Sequence, residues 1–191
     1  MTANELRNYF KVYLEQIPVL AKVNADWALL HYIIIFPDIC GALENANGQS
    51  SSSNYINWAN RYVADSALSG DEWYDIRCHI LHQGITAGRK RYPNYYFKSP
   101  GVTAISHKSI QPNGSIILDV HAMKDELLAG LEKWFRDVEQ SQENHLKNVV
   151  YNIPSLAGIV TVTGTNSTSV ASIQLSNMNV SGTVNNNQNR L

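Results

Sequence analysis

The sequence has few cysteines and few charges, and both shortages restrict the classes of protein to which it can belong. Its 191 residues include only two cysteines, Cys40 and Cys78. Two are too few for a disulfide framework or a four-cysteine zinc site, and they fit a reducing compartment. Charged residues make up 16% of the chain and the net charge is -1, so bulk attraction to nucleic acid or to a membrane surface is not expected.

The sequence also shows no secretory signal and no clear membrane span. Its N-terminus lacks a basic segment followed by an apolar run. The most apolar window, residues 27–43, is interrupted by His31, Pro37 and Asp38 and falls short of a spanning helix. We therefore expect a soluble, cytoplasmic protein without a membrane partner.

Charge is absent from most of the C-terminal segment. Between residues 151 and 189 there is no Asp, Glu, Lys or Arg, and Asn, Ser and Thr dominate. The alternation in residues 159–163 suits a β-strand, whereas the polar composition suits disorder. We predict one domain over residues 1–148 and a low-charge tail over 149–191 that is either disordered or weakly β.

The rest of the chain carries mainly helical patterns. Apolar residues recur at three- and four-residue steps, and caps or breakers delimit the segments. The predicted fold class is mainly α: a helical bundle with a small β-hairpin before the last long helix. The predicted elements are an amphipathic helix over about 4–22 (capping box Thr2/Glu5), an apolar helix capped by Asn24 and kinked at Pro37, a shorter helix over about 54–65, a hairpin over about 102–120 and a last helix over about 121–147.

One further predicted helix carries most of the candidate chemistry. Ser69 and Glu72 have the spacing of a capping box, and Gly84 is the residue type that commonly ends a helix. Between them lie Asp75, Arg77, His79 and His82. So many imidazole and guanidinium groups on a short helix indicate more than a packing role.

The segment that follows is basic and has no acids. No Asp or Glu occurs between Asp75 and Asp119, an interval with six of the chain's 15 basic residues. Basic charge attracts phosphates, and exposed aromatic rings stack on unpaired bases; the alternative is a solvated loop whose rings pack on the hairpin. The bases are Arg77, Arg89, Lys90, Arg91, Lys98 and Lys108, and the rings between them are Tyr92, Tyr95, Tyr96 and Phe97.

Helical geometry predicts how the candidate site is assembled. At about 100° per residue, Arg77 and His82 lie about 140° apart around the helix. They are therefore not expected to converge within one helix, whereas two crossing copies would bring both pairs to one cleft. Asp75 and His79 lie on the same side as His82. Histidine exchanges protons near neutral pH and arginine binds phosphate, which is sufficient for metal-free RNA cleavage.

The histidines and Asp38 allow other interpretations. Cys78, His79 and His82 with His107 or His121 would be a zinc set, but the adjacent Cys78 and His79 diverge by about 100° on a helix. We therefore predict no metal and no cofactor. Asp38 either orients a site residue or caps the turn after Pro37, and we favour the capping role.

The segment Arg77-Cys-His-Ile-Leu-His82 resembles the R-x4-H form of the motif of the HEPN superfamily. The apolar helix with Pro37-Asp38-Ile39-Cys40-Gly41 and the motif helix ending in His82-Gln-Gly84 also fit, and the similarity covers about residues 1–148. The resemblance implies a helical bundle that dimerises so that two motifs face one cleft. It implies Arg77 as phosphate stabiliser and His82 as catalytic histidine. Cys78 departs from the family, where Asn, Asp or His usually follows the arginine.

The resemblance favours a metal-independent endoribonuclease, either a toxin or a defence component. Asp75 and His79 would be accessory residues, and Arg89, Lys90, Arg91 and Tyr92 would bind RNA. The expected partners are RNA and a second copy of the chain. An antitoxin or another protein is a further candidate partner. The alternative is a catalytically inactive bundle that binds nucleotides or a protein partner.

Overall fold

The structure is a computed structural model that describes residues 1–141 and 143–156 and the backbone of two short strands in the tail. It is mainly helical, with a small three-stranded sheet before the last long helix, which confirms the predicted fold class. The elements are α1 (Ala3–Leu14), α2 (Gln16–Lys22), α3 (Asp26–Ile33), α4 (Phe36–Glu44), α5 (Ser52–Tyr62), α6 (Gly70–Gln83), β1 (Tyr95–Lys98), β2 (Ser109–Ile110), β3 (Ile116–Asp119), α7 (Val120–Gln140), α8 (Asn144–Asn152), a 3-10 turn (Ile153–Ser155), β4 (Val160–Thr163) and β5 (Ser172–Leu175).

Prolines divide two segments that were each predicted as one helix. The first breaks at Glu15, so that Pro18 falls in the first turn of α2. The second breaks after Ile34, and Pro37 lies in the first turn of α4. Proline is tolerated there because first-turn amides have no partner within the helix. Asn24 does not cap α3; it has a φ of 53° and Ala25 is the N-cap.

The caps predicted around α1 and α6 are confirmed. Both capping boxes form, Thr2 with Glu5 and Ser69 with Glu72. Gly84 ends α6 at a φ of 63°, a left-handed conformation that costs glycine no steric strain. This turn sends the following loop back along the helix, where Arg89 reaches Asp75.

The sheet contains the predicted hairpin and one further strand. Its strand order is β1-β3-β2, with β1 parallel and β2 antiparallel to β3. β2 and β3 form the hairpin across a turn at residues 111–115, but its first strand is Ser109–Ile110, and residues 102–107 form no strand. The added strand is β1, for which the sequence predicts a loop; Tyr95 is 1% exposed and packs inward.

Large aromatic side chains fill the centre of the bundle. The Phe10 ring lies 5.6 Å from Trp134 and 6.5 Å from Phe36, which joins α1 to α7 and α4. Residues Asp26–Glu44 are long and apolar enough to cross a membrane, but half of their most apolar window is buried in the fold. An apolar segment that is broken before Pro37 and half buried among the other helices is typical of the core of a helical bundle.

The predicted last helix ends early, and α8 returns to α4. Asn148 Nδ2 donates to the Glu44 carbonyl (2.9 Å), and Asn152 Nδ2 donates to the carbonyls of Leu43 (2.9 Å) and Asn45 (2.7 Å). These amides satisfy carbonyls that the end of α4 leaves unpaired. In the tail, β4 pairs antiparallel with β5; the predicted order or disorder of its other residues lies outside the described part of the chain.

The contact of α7 with α5 generates the first testable prediction. A Cβ added at Gly130 would lie 2.5 Å from the Tyr62 carbonyl oxygen and 2.8 Å from Val63 Cγ1. Gly130→Ala is expected to lower the unfolding free energy by about 1–3 kcal/mol, because the new methyl group would clash with a backbone carbonyl that cannot move without distorting α5. Urea unfolding measures this. Gly101→Ala is the control, since a Cβ there meets nothing within 4 Å, and equal stability of the two variants would contradict the prediction.

Candidate functional site

Arg77 and His82 meet within one chain. The Arg77 Nη1 atom donates to His82 Nε2 over 2.8 Å. The expectation that they cannot converge on one helix is wrong, because it placed side chains on fixed angular positions. The long arginine side chain spans the five-residue separation instead. The pair at the centre of the predicted site therefore forms without a second copy.

The guanidinium of Arg77 is anchored by Asp38 on α4. Arg77 Nε donates to Asp38 Oδ2 over 2.7 Å, and Ser50 Oγ donates to Asp38 Oδ1 over 2.9 Å. Both charged side chains are mostly buried, 22% and 19% exposed. Burial acts to lower the pKa of Arg77, but the hydrogen bond and charge of Asp38 outweigh it and raise the pKa above its ordinary value.

This contact corrects the preferred role of Asp38. Its carboxylate does not cap α4, which has no side-chain cap. It orients Arg77 instead, which was the other interpretation. Pro37 accounts for the position of Asp38. Because α4 begins one residue before Pro37, Asp38 lies in the first turn of α4, on the side that faces α6.

The anchored arginine keeps donors for a ligand. A guanidinium has five N–H groups; Asp38 takes one and His82 takes another. The Cys78 side chain is a further hydrogen-bond partner, and the donors that remain can bind a phosphate. Because arginine has no acceptor, His82 Nε2 accepts, and the imidazole proton resides on Nδ1. A ligand that drew the guanidinium away would release the Nε2 lone pair as a base.

Asp75 contacts three parts of the fold: α6 (the motif helix), residues 85–94 with Arg89, Lys90 and Arg91 (the basic loop), and β1. Its side chain is 5% exposed. Its Oδ2 accepts from the Arg89 backbone N–H (2.8 Å) and from the Tyr95 hydroxyl (3.0 Å). Burial, and next the charge of Asp75, raise the pKa of Tyr95, which stays a donor. Asp75 thus positions the start of the loop that carries Arg89.

His79 lies beside Asp75 and is 3% exposed. Its Nδ1 donates to the Asp75 carbonyl over 2.8 Å and lies 3.3 Å from Asp75 Oδ1. These contacts fix the orientation of the ring. The two residues predicted as accessory groups are therefore neighbours, and both line a cavity that also reaches His82.

This cavity has a volume of about 380 Å³ and lies between α5, α6 and the basic loop. A hydrogen bond between the Tyr74 hydroxyl and the Cys78 thiol is the main cause that raises the pKa of Tyr74. Cys78 also lines this cavity. The lining residues are Ser52, Ile56, Tyr74, Asp75, Cys78, His79, His82, Gln83, Arg89 and Lys90.

The four residues predicted to bind RNA occupy different positions. Arg89 and Lys90 line the cavity, and Lys90 Nζ lies 3.3 Å from Asp71 Oδ1 in an exposed pair. Arg91 donates to the Ser66 carbonyl over 2.8 Å. Tyr92 is 2% exposed and donates to the Ala67 carbonyl, so its ring presents no stacking surface in this conformation.

The lysines of the acid-free interval form ion pairs with acids from other parts of the chain. Lys98 Nζ lies 2.8 Å from Asp119 Oδ2, and Lys108 Nζ lies 2.7 Å from Asp65 and 2.6 Å from Glu126. The lysine side chains are 12% and 11% exposed, respectively. Both lysines are therefore held in structural ion pairs. The exposed basic surface near the motif is limited to the residues of the basic loop.

The histidines considered as zinc ligands lie in other contacts. His107 Nε2 is 3.1 Å from Glu126 Oε1, and His121 Nε2 is 3.0 Å from Asp26 Oδ1. Within the described ranges, no group of three or more His, Cys, Asp or Glu side chains is arranged to hold a metal ion.

Several lining residues were missed from the sequence. Ile56, Tyr74 and Gln83 line the cavity, and Ser50 supports Asp38. Ser50 lies in a Ser-rich segment that reads as a flexible loop. Helical spacing contained a signal for Tyr74, because it precedes Cys78 by four residues and so lies on the same face. Ile56 carried no such signal, since its position depends on how α5 packs on α6.

Comparison of the chain with protein-family models, with curated proteins and with solved structures found no match.

The anchoring of Arg77 generates a prediction. Asp38→Ala should free the guanidinium and lower the unfolding free energy by about 1.5–3 kcal/mol, because it removes a mostly buried, charge-assisted hydrogen bond. Urea unfolding measures the stability, and the ¹⁵N shifts of the His82 ring report the lost contact. Glu15→Ala is the control, since its pair with Lys11 is exposed and 3.7 Å long. Unchanged His82 signals in Asp38→Ala would contradict the anchoring role.

Proposed function

We propose that this protein is a metal-independent endoribonuclease of the HEPN type. The single observation that supports the proposal most is the contact between Arg77 Nη1 and His82 Nε2, with the guanidinium anchored by Asp38. An oriented phosphate-binding group and a proton acceptor occupy one place. The adjoining cavity and its basic loop provide space for RNA next to the pair.

The proposed reaction uses the pair in sequence. The scissile phosphate binds the free N–H donors of Arg77 and draws Nη1 from His82. Nε2 then takes the proton of the ribose 2′-hydroxyl, whose oxygen attacks phosphorus. The bond to the 5′-oxygen breaks, leaving a 2′,3′-cyclic phosphate and a 5′-hydroxyl. Arg77 neutralises the charge that accumulates on the phosphorane oxygens.

The 5′-oxygen leaves with a proton, and a homodimer supplies a donor. In the dimer that the resemblance implies, two Arg77–His82 pairs face one cleft. The second His82, in its imidazolium form, would protonate the leaving oxygen. We propose a cytoplasmic homodimer acting as a toxin or defence component, with an antitoxin or another protein as a possible regulator.

Cleavage without metal is the direct test. The protein should cut single-stranded RNA in EDTA, and His82→Ala should slow cutting by at least about 100-fold, the usual contribution of a general base. Product ends should carry the 2′,3′-cyclic phosphate. Gel analysis of end-labelled RNA measures both.

The chain offers a matched control for this variant. Arg61 Nη1 lies 3.2 Å from His145 Nε2 in a second arginine–histidine pair. His145 does not line the cavity, so His145→Ala should cut RNA at the wild-type rate. Equal cutting by wild type and His82→Ala, with both folded, would overturn the proposed function.

A catalytically silent bundle is the second candidate. Cys78 favours it, because the thiol lies where active members of the superfamily usually carry a polar group. Under this proposal Arg77 and His82 are structural, and the protein binds a nucleotide or a protein partner. His82→Ala would then lower the melting temperature and leave no RNA-cleaving activity to lose.

A further inference from the structure

Cys78 is a partly exposed thiol that lies beside the reactive pair. Its side chain lines the cavity that also reaches His82. It is a hydrogen-bond partner of the Arg77 guanidinium and of the Tyr74 hydroxyl. The proposed reaction gives this thiol no role. Partly exposed thiols among cationic side chains are the ones that undergo reversible modification.

The second cysteine of the chain provides an internal contrast. Cys40 is 0% exposed in the core, and burial raises the pKa of its thiol well above the ordinary value. Because the thiolate is the form that attacks other groups, Cys40 is inert in the folded protein. Modification of the native chain is therefore expected at Cys78.

The rim of the cavity favours anions. Arg89 and Lys90 line it, and both are exposed. The described part of the chain provides no hydrogen bond or ion pair to the Arg89 guanidinium, since Asp75 engages only the backbone N–H. Lys90 lies 3.3 Å from Asp71, with both side chains half exposed, a pair that contributes little. These two cations would attract the carboxylates of a ligand.

His79 adds a hydrogen-bond acceptor inside the cavity. The residue is 3% exposed, its ring lines the cavity, and its Nδ1–H donates to the Asp75 carbonyl. The neutral ring therefore carries its lone pair on Nε2. Within residues 1–141 and 143–156, Nε2 has no hydrogen-bond partner. A buried acceptor of this kind is satisfied by an N–H group of a ligand.

These features define the chemistry of a modifying reagent. The cavity volume of about 380 Å³ lies at the small end of the range for ligand sites and admits one half of a small disulfide. If that half is a short acidic peptide, its carboxylates match the cations at the rim. Its amide N–H groups match His79 Nε2, and its sulfur lies at Cys78.

We propose that Cys78 is a redox modification site for acidic, peptide-like disulfides of low molecular weight. The Cys78 thiol releases its proton to solvent, and the thiolate attacks one sulfur of the reagent. The S–S bond of the reagent breaks and a new S–S bond joins one half to Cys78. The other half leaves as a thiolate and takes up a proton. The protein sulfur is oxidised and the leaving sulfur is reduced, so the disulfide is the only oxidant needed.

The modification would regulate the proposed function, and in this respect the inference rests on that function. A peptide group on Cys78 fills the cavity beside His82. It also brings carboxylates to the Arg77 guanidinium, where the scissile phosphate would bind. The modified protein is therefore inactive, and a thiol reductant restores it. Formation of the mixed disulfide itself requires neither RNA nor cleavage.

Intact-mass spectrometry of the folded full chain measures the exchange. Oxidised glutathione should add one tripeptide to wild type and none to Cys78→Ser, and a reductant should remove it. The neutral bis(2-hydroxyethyl) disulfide is the comparison reagent. When each rate is divided by the rate with free cysteine, oxidised glutathione should react several-fold faster.

A pair of arginine variants tests the role of the rim. Arg89→Gln should remove most of the advantage of oxidised glutathione without affecting folding, since the backbone contact to Asp75 remains. Arg136→Gln is the matched control, because it removes the same charge from an exposed position on α7. It should react as wild type does.

Two outcomes would overturn the inference. One is a native wild type that gains no adduct or gains it on Cys40. The other is equal normalised rates for the two disulfides, or the same ratio in wild type and Arg89→Gln, which would mean an ordinary exposed thiol. Undiminished RNA cutting by the fully modified protein would overturn the regulatory role. Selective modification of a wild type that does not cut RNA would leave the modification site standing and remove the proposed function.

Discussion

The candidate site depends on one ion pair between two helices, Asp38 on α4 and Arg77 on α6. A free arginine side chain samples many rotamers, and holding it in one geometry costs conformational entropy. In the folded protein the ion pair with Asp38 offsets this cost, and Asp38 is itself held in place because its two oxygens accept from Arg77 and Ser50. With Nε fixed, Nη1 lies within reach of His82. The geometry of the pair is thus set by the packing of α4 against the motif helix.

A second carboxylate, Asp75, organises the ligand-facing side. It connects α6 to the start of the basic loop through Arg89 and to β1 through Tyr95. Burying an unpaired carboxylate would be costly. Asp75 can lie in the core because these donors and the neighbouring His79 contact it. The two acids have different consequences: Asp38 orients the group proposed to bind the scissile phosphate, and Asp75 places the cations beside the cavity.

The sequence predicted local features better than tertiary ones. The capping boxes and Gly84 followed from nearest-neighbour chemistry and are confirmed. Strand β1 was missed because its rings were counted as loop residues, whereas pairing with β3 buries Tyr95. The interval without acids misled for the same reason: Lys98 and Lys108 meet carboxylates that lie elsewhere in the chain. The contact of Arg77 with His82 was missed because helical angles describe Cβ directions and not the reach of a long side chain.

The left-handed residue at the end of α6 has a consequence for how this fold can vary. Gly84 reverses the chain, so residues 85–94 run back past the motif helix and return to the sheet through the contact of Tyr95 N–H with the Thr86 carbonyl. The contact of Arg77 with His82 lies before this loop, and the sheet and α7 lie after it. Changes in loop length would therefore shift the cations relative to His82 while leaving the contacts of Arg77 with Asp38 and His82 in place.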